Sequence, residues 1–206
     1  DANAVWTHNR DGYYYFYPNH QLTMPGTVEM NFTGKGKNHL FIALVENTNL
    51  LLGNITATLN TGMVYYNNNS SIQLNQTDFT SVAVTYNPSY NVVQTGIGLN
   101  ITNPTDVFIN GCDFNYLATG IKIEQASTAL TVQATNMTGI VDDNYYIDDV
   151  EEISITGGIL DGGDYGVVAI NTEILEVTNA EIKNMQTSGV NLDEVAGAYF
   201  SNTKIH

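Results

Sequence analysis

In the C-terminal half of the chain, apolar residues recur two apart in short runs, and the runs themselves recur. Val107/Ile109, Leu130/Val132, Ile153/Ile155, Leu175/Val177 and Ala198/Phe200 follow one another at steps of 23, 23, 22 and 23 residues. Alternation of period two puts each pair on one face of a β-strand. A second run keeps the same beat, from Thr95-Gly96-Ile97-Gly98-Leu99 through Thr119-Gly120-Ile121, Asp143-Asn144-Tyr145 and Tyr165-Gly166-Val167 to Ser188-Gly189-Val190. A third, shorter one places Phe114, Met137, Leu160, Ile182 and Ile205 at steps of 23, 23, 22 and 23. Three inward-facing elements repeating at almost constant length describe one turn of a solenoid.

A single such coil cannot bury its apolar face. Stacking coils pairs each strand with its copy about 4.8 Å away, in parallel, and gathers the inward side chains into a continuous core. The predicted fold is therefore all-β: a right-handed parallel β-helix with coils of about 23 residues and three strands per coil. The Gly, or once Asn144, before each strand of the second run predicts a corner that needs positive φ. The beat is regular from about residue 95. Upstream, Thr27-Val28-Glu29-Met30-Asn31-Phe32 and the apolar runs starting at Leu40 and Leu50 also read as strands. Ile72/Leu74 stands 25 residues before Ile97/Leu99, and Val82/Val84 stands 25 before Val107/Ile109, so the solenoid is expected to continue with longer loops. Tyr13-Tyr14-Tyr15-Phe16-Tyr17, ended by Pro18, predicts an aromatic capping strand. The division is thus an N-terminal strand or cap over 1–26 and a β-helix over 27–206.

The pattern Gly-Ile-x-Ile followed by Val-x-Ile-x-Asn/Gly resembles the coils of the pectin-lyase-like parallel β-helix superfamily, most closely over residues 60–206. The resemblance implies architecture alone, because that superfamily holds lyases, glycosidases, epimerases, tailspikes and adhesins. The segment from Ile153 to Gly163 is similar to a coil of polygalacturonase-type glycosidases. Their catalytic set is absent: Asp148-Asp149 and Asn171-Thr172-Glu173 are fragments in the wrong order.

Composition narrows the partners. With 21 acidic against 6 basic residues the formal charge is −15, and Arg10 is the only arginine. Such a chain has little with which to neutralise phosphates, so nucleic acid is excluded as a partner, and anionic membranes and polyuronates are disfavoured. No stretch of about 20 apolar residues predicts a membrane span. Cys112, the one cysteine, is expected to be a small core or turn residue without a disulfide. No signal peptide precedes Asp1, as a processed or trimmed N-terminus would have it. Sequons at Asn31, Asn54, Asn68, Asn69, Asn75, Asn100 and Asn136 are candidate glycosylation sites and point to an extracellular, cell-surface or virion-surface protein.

Candidate chemistry is sparse. Asp142, Asp143, Asp148, Asp149, Glu151, Glu152, Asp161 and Asp164 fall in a stretch without Lys or Arg between Lys122 and Lys183. Consecutive coils would bring Asp142 and Asp143 near Asp164, as a solvated acidic loop, a calcium site, or a general acid–base pair. No other cofactor is implied and no catalytic residue is assigned. Lys122, Lys183 and Lys204 are isolated, and His8, His20, His39 and His206 lack metal-ligand spacing. Tyr65, Tyr66, Tyr86, Tyr90, Tyr145 and Tyr146 are candidates for stacking on a carbohydrate.

The expected function is that of a structural or adhesive surface protein that associates with copies of itself, head to tail or as a trimer, through coil ends. The alternatives are a carbohydrate-active β-helix enzyme and a phage receptor-binding spike fragment. A coil still running at Lys204-Ile205-His206 motivates the first.

Overall fold

The computed structural model describes residues 97–206 apart from Thr105, and within residues 1–96 the backbone pairing of ten strands. Residues 97–206 form five stacked coils of a parallel β-solenoid. The first strands of successive coils begin with Ile97–Thr102, and the last two are Tyr165–Ile170 and Ser188–Asp193. Second strands include Asp106–Asn110, Ile174–Thr178 and Gly197–Ser201. Third strands are Asp113–Asn115, Asn136–Thr138, Ile159–Asp161, Glu181–Lys183 and Lys204–Ile205. In two coils the first and second strands run through their corner without a break, as Thr119–Gln133 and Asp143–Thr156. Every pairing is parallel and joins one coil to the next, and no helix occurs among the described residues.

Pairing in register stacks like on like. Leu99, Ile121, Tyr145 and Val167 form one inward column; Ile109, Val132, Ile155 and Val177 another; Phe114, Met137, Leu160 and Ile182 a third. Each of these side chains is at most 1% exposed. At about 1.5–3 kcal/mol for each large apolar side chain, these columns dominate the stabilisation of the rod.

The corners are where a solenoid is hardest to build. Asn103, Gln125, Asp149, Asn171 and Glu194, at equivalent places after each first strand, all have φ between 47° and 57°. Gly111, Ala134, Gly157, Asn179 and Asn202 repeat this after the second strand, and Tyr116, Gly139, Gly162 and Asn184 after the third. The left-handed residue turns the chain and aims its N–H along the rod axis. Thus Asn103 N–H donates to the Glu124 carbonyl at 2.8 Å, Ala134 to Thr156 at 2.8 Å and Gly139 to Asp161 at 3.0 Å. The ladder passes round these bends, so their amides find partners as strand amides do.

Three expectations need correction. The Gly98, Gly120, Gly166 and Gly189 column does not supply positive φ. It makes room for the third strand. A Cβ on Gly98 would lie 2.6 Å from Phe114 Cδ1 and 2.5 Å from the Gly120 carbonyl oxygen, and one on Gly166 would strike Ile182. Second, the first rung is shifted by two residues: Leu99, not Ile97, stands against Ile121, and Ile101 against Ile123. Ile97, Leu99 and Ile101 alternate, so either register keeps an apolar face inward. Only Gly98 offers a space free of Cβ where Phe114 needs it. Third, Ser71–Asn75 pairs with Asp106–Asn110, placing Ile72 against Val107 and Leu74 against Ile109 instead of against the first-strand column. Alternation again satisfies both placements, and here the following strand decides, since Phe79 pairs with Phe114. Val82 and Val84 lie outside the described residues.

Upstream, the same stacking continues in backbone. Asn3–His8 pairs with Thr27–Phe32, and that strand with Ile55–Leu59. Tyr15–Phe16, from the aromatic run, pairs in parallel with Ile42–Leu44, which in turn pairs with Tyr65–Tyr66.

If the third strand dictates the glycine column, Gly166→Ala costs on the order of 2 kcal/mol, a typical overpacking penalty. Combined with Ile182→Ala, it costs less than the sum of the two single changes. A double-mutant cycle by urea denaturation measures that coupling, and strict additivity would refute the steric account.

Candidate functional site

The acidic stretch resolves into separate corners. Asp148 ends a first strand and Asp149 is its left-handed corner, whereas Asp161 ends a third strand and Asp164 lies beyond the next bend. Two adjoining shallow grooves follow the first corner and share Gln125, Asp149 and Asn171. Glu124 and Asp148 lie on one side, Glu151 and Glu173 on the other.

Several of these polar groups are occupied in joining coils. Asn171 Nδ2 donates to Asp148 Oδ1 at 3.2 Å, and Asn184 Nδ2 to Asp161 Oδ1 at 2.7 Å. Lys183 Nζ stands 3.6 Å from Asp161 Oδ2. Asn202 Nδ2 donates to Asn179 Oδ1 at 2.6 Å. In each case the partner lies one coil away, so a strict repeat brings matched side chains into contact. Two of the lysines expected to be isolated have partners, Lys183 and Lys122: Lys122 Nζ is 3.0 Å from Glu124 Oε1 and 5.2 Å from the centre of the Tyr146 ring. His206 pairs with Glu181 at 3.4 Å.

Asp142, Asp143 and Asp164 do share a corner. The Asp164 N–H donates to the Asp142 carbonyl at 2.6 Å, joining the bends of two coils. Burial, then the charges of Asp142 and Asp164, pushes the Asp143 carboxyl up to about 6; burial and Asp164 raise Asp142 as well. Among the described residues no three His, Cys, Asp or Glu side chains stand in an arrangement that could hold a metal ion.

Beside this corner lies a residue whose place in the rung was legible and whose role was not. Asn144 occupies the glycine column and is fully buried. Its Nδ2 donates to the carbonyls of Gly162 at 2.7 Å and Tyr165 at 3.1 Å, latching the next coil. Gly163, with φ +106°, leaves the space: a Cβ there would lie 3.0 Å from Asn144 Nδ2. The one break in the glycine column, opposite Gly162-Gly163, is the sequence signal for this latch.

The tyrosines divide. Tyr145 is fully buried in the Ile121/Val167 column and is withdrawn as a carbohydrate platform, because period two turns it inward; Tyr146, one residue on, is at the surface beneath Lys122. Tyr65, Tyr66, Tyr86 and Tyr90 have side chains outside the described residues, as do Arg10, His8, His20 and His39. Of the sequons, the side chains of Asn31, Asn54, Asn68, Asn69 and Asn75 also lie outside them. Asn136 has both ends of its carboxamide engaged: Nδ2 donates to Asp113 Oδ1 at 2.8 Å, and Oδ1 accepts the Ile159 N–H at 3.0 Å. Asn100 has a buried Oδ1 that no group satisfies. Cys112 is a buried core residue following the Gly111 corner, as expected, and its thiol donates to the Asn110 carbonyl at 3.5 Å.

No protein-family model, no curated protein and no solved structure matches the chain. Among the described residues no helix is long and apolar enough to cross a membrane.

Two outcomes are expected. Because the folded-state value of Asp143 lies above its ordinary 3.8, its contribution is most favourable below that value and is lost as pH rises through about 6. Asp143→Asn therefore stabilises the chain at pH 7.5 and not at pH 4. Screening at this half-exposed carboxylate limits the gain to about 1 kcal/mol. Urea midpoints across that pH range measure it, and a variant that parallels the parent at every pH would count against it. Asn136→Ala lowers stability by about 1–2 kcal/mol through its two inter-coil bonds, while Asn100→Ala is close to neutral. Equal losses in the same assay would contradict these roles.

Proposed function

We propose that the chain is a structural or adhesive β-solenoid of the extracellular space or of a cell or virion surface, and that it associates with copies of itself through coil ends. One observation carries the reading. The rungs stack in strict parallel register, and Phe200 and Ile205 continue the Val177 and Ile182 columns, so each rung offers a surface that another rung of the same kind fits. A rung supplied by a second copy would continue the same parallel ladders. Such a contact is heterologous, so it propagates along the rod.

The polar side chains support the same reading. Asn171, Asn184, Asn136 and Asn202 all reach across to a neighbouring coil. Asp148 and Asp149 lie at one bend of the coil, and Asp161 and Asp164 beside the bend after the third strand, which weighs against an enzyme that pairs carboxylates across the two sets. Likeness to the pectin-lyase-like superfamily, on this reading, is one of coil geometry.

Sedimentation velocity of the 206-residue chain tests the proposal. Concentration-dependent assembly is expected, weakened at least tenfold by Phe200→Asp, with far-UV circular dichroism checking that the β-structure is retained. A monodisperse monomer at high concentration would overturn it, and so would assembly that a folded Phe200→Asp variant leaves intact.

A further inference from the structure

We draw no further inference here: the strongest candidate, the Asp142, Asp143 and Asp164 corner beside the buried Asn144, is a cluster of carboxylates with no second feature that points to a ligand.

Discussion

The constraint on which the rest depends is that each backbone amide must find its partner in the adjacent coil, round the bends as well as along the strands. A helix or hairpin satisfies its amides locally, whereas a coil of this kind depends on its neighbour at every position. Corners must therefore fall in the same place in every turn. The left-handed residues at each corner are the local solution. Their N–H groups point along the axis, and bonds such as Gly157 to Thr178 at 2.7 Å carry the ladder across the bend. Several corner residues are Asn or Gly, which adopt this conformation at little cost. Gln125 and Ala134 adopt it as well, held there by the coils on either side.

Once corners are aligned, side chains follow. Inward columns fill the interior, and their sizes must suit one another across the section of a coil as well as along the axis. The glycine column is the clearest case: the third strand's side chain occupies the volume a Cβ would need. Where Asn144 interrupts that column, its amide ties down a bend containing two glycines, and Asp142, Asp143 and Asp164 converge on the same stretch. The raised affinity of Asp143 for its proton is thus a consequence of coil stacking, which places three carboxylates at one partly dehydrated corner.

Fold class was largely legible because periodicity of two and a repeat of about 23 residues reflect the same geometry that the backbone realises. Val107, Leu130, Ile153 and Leu175 could be aligned by eye and stack as aligned. Register was less legible wherever three alternating apolar residues stood in a row, as at Ile97, Leu99 and Ile101. Hydrophobicity repeats every two residues there, and only steric fit to Phe114 selects one solution. The glycines were visible, yet their purpose was not, because a glycine required for space looks the same in a sequence as one required for φ. The shared corner of Asp142, Asp143 and Asp164 was legible from the period. The inter-coil bridges of Asn136 and Asn171 were not, since nothing in an Asn-rich sequence distinguishes a bridging asparagine from any other.

The account stands on the coil-to-coil register, and a designed disulfide probes that most directly. Thr131 and Ser154 are paired on adjacent coils, on the side of the strand opposite the inward columns. Neighbouring Cα atoms in a ladder lie about 4.8 Å apart, within the span a disulfide bridges. In a Cys112→Ala background, Thr131→Cys with Ser154→Cys should close an intramolecular bond under mild oxidation and keep the β-signature. Failure to close, together with closure of the offset pair Thr131→Cys and Thr156→Cys, would contradict the register and with it the stacking from which the core, corners and acidic cluster are derived.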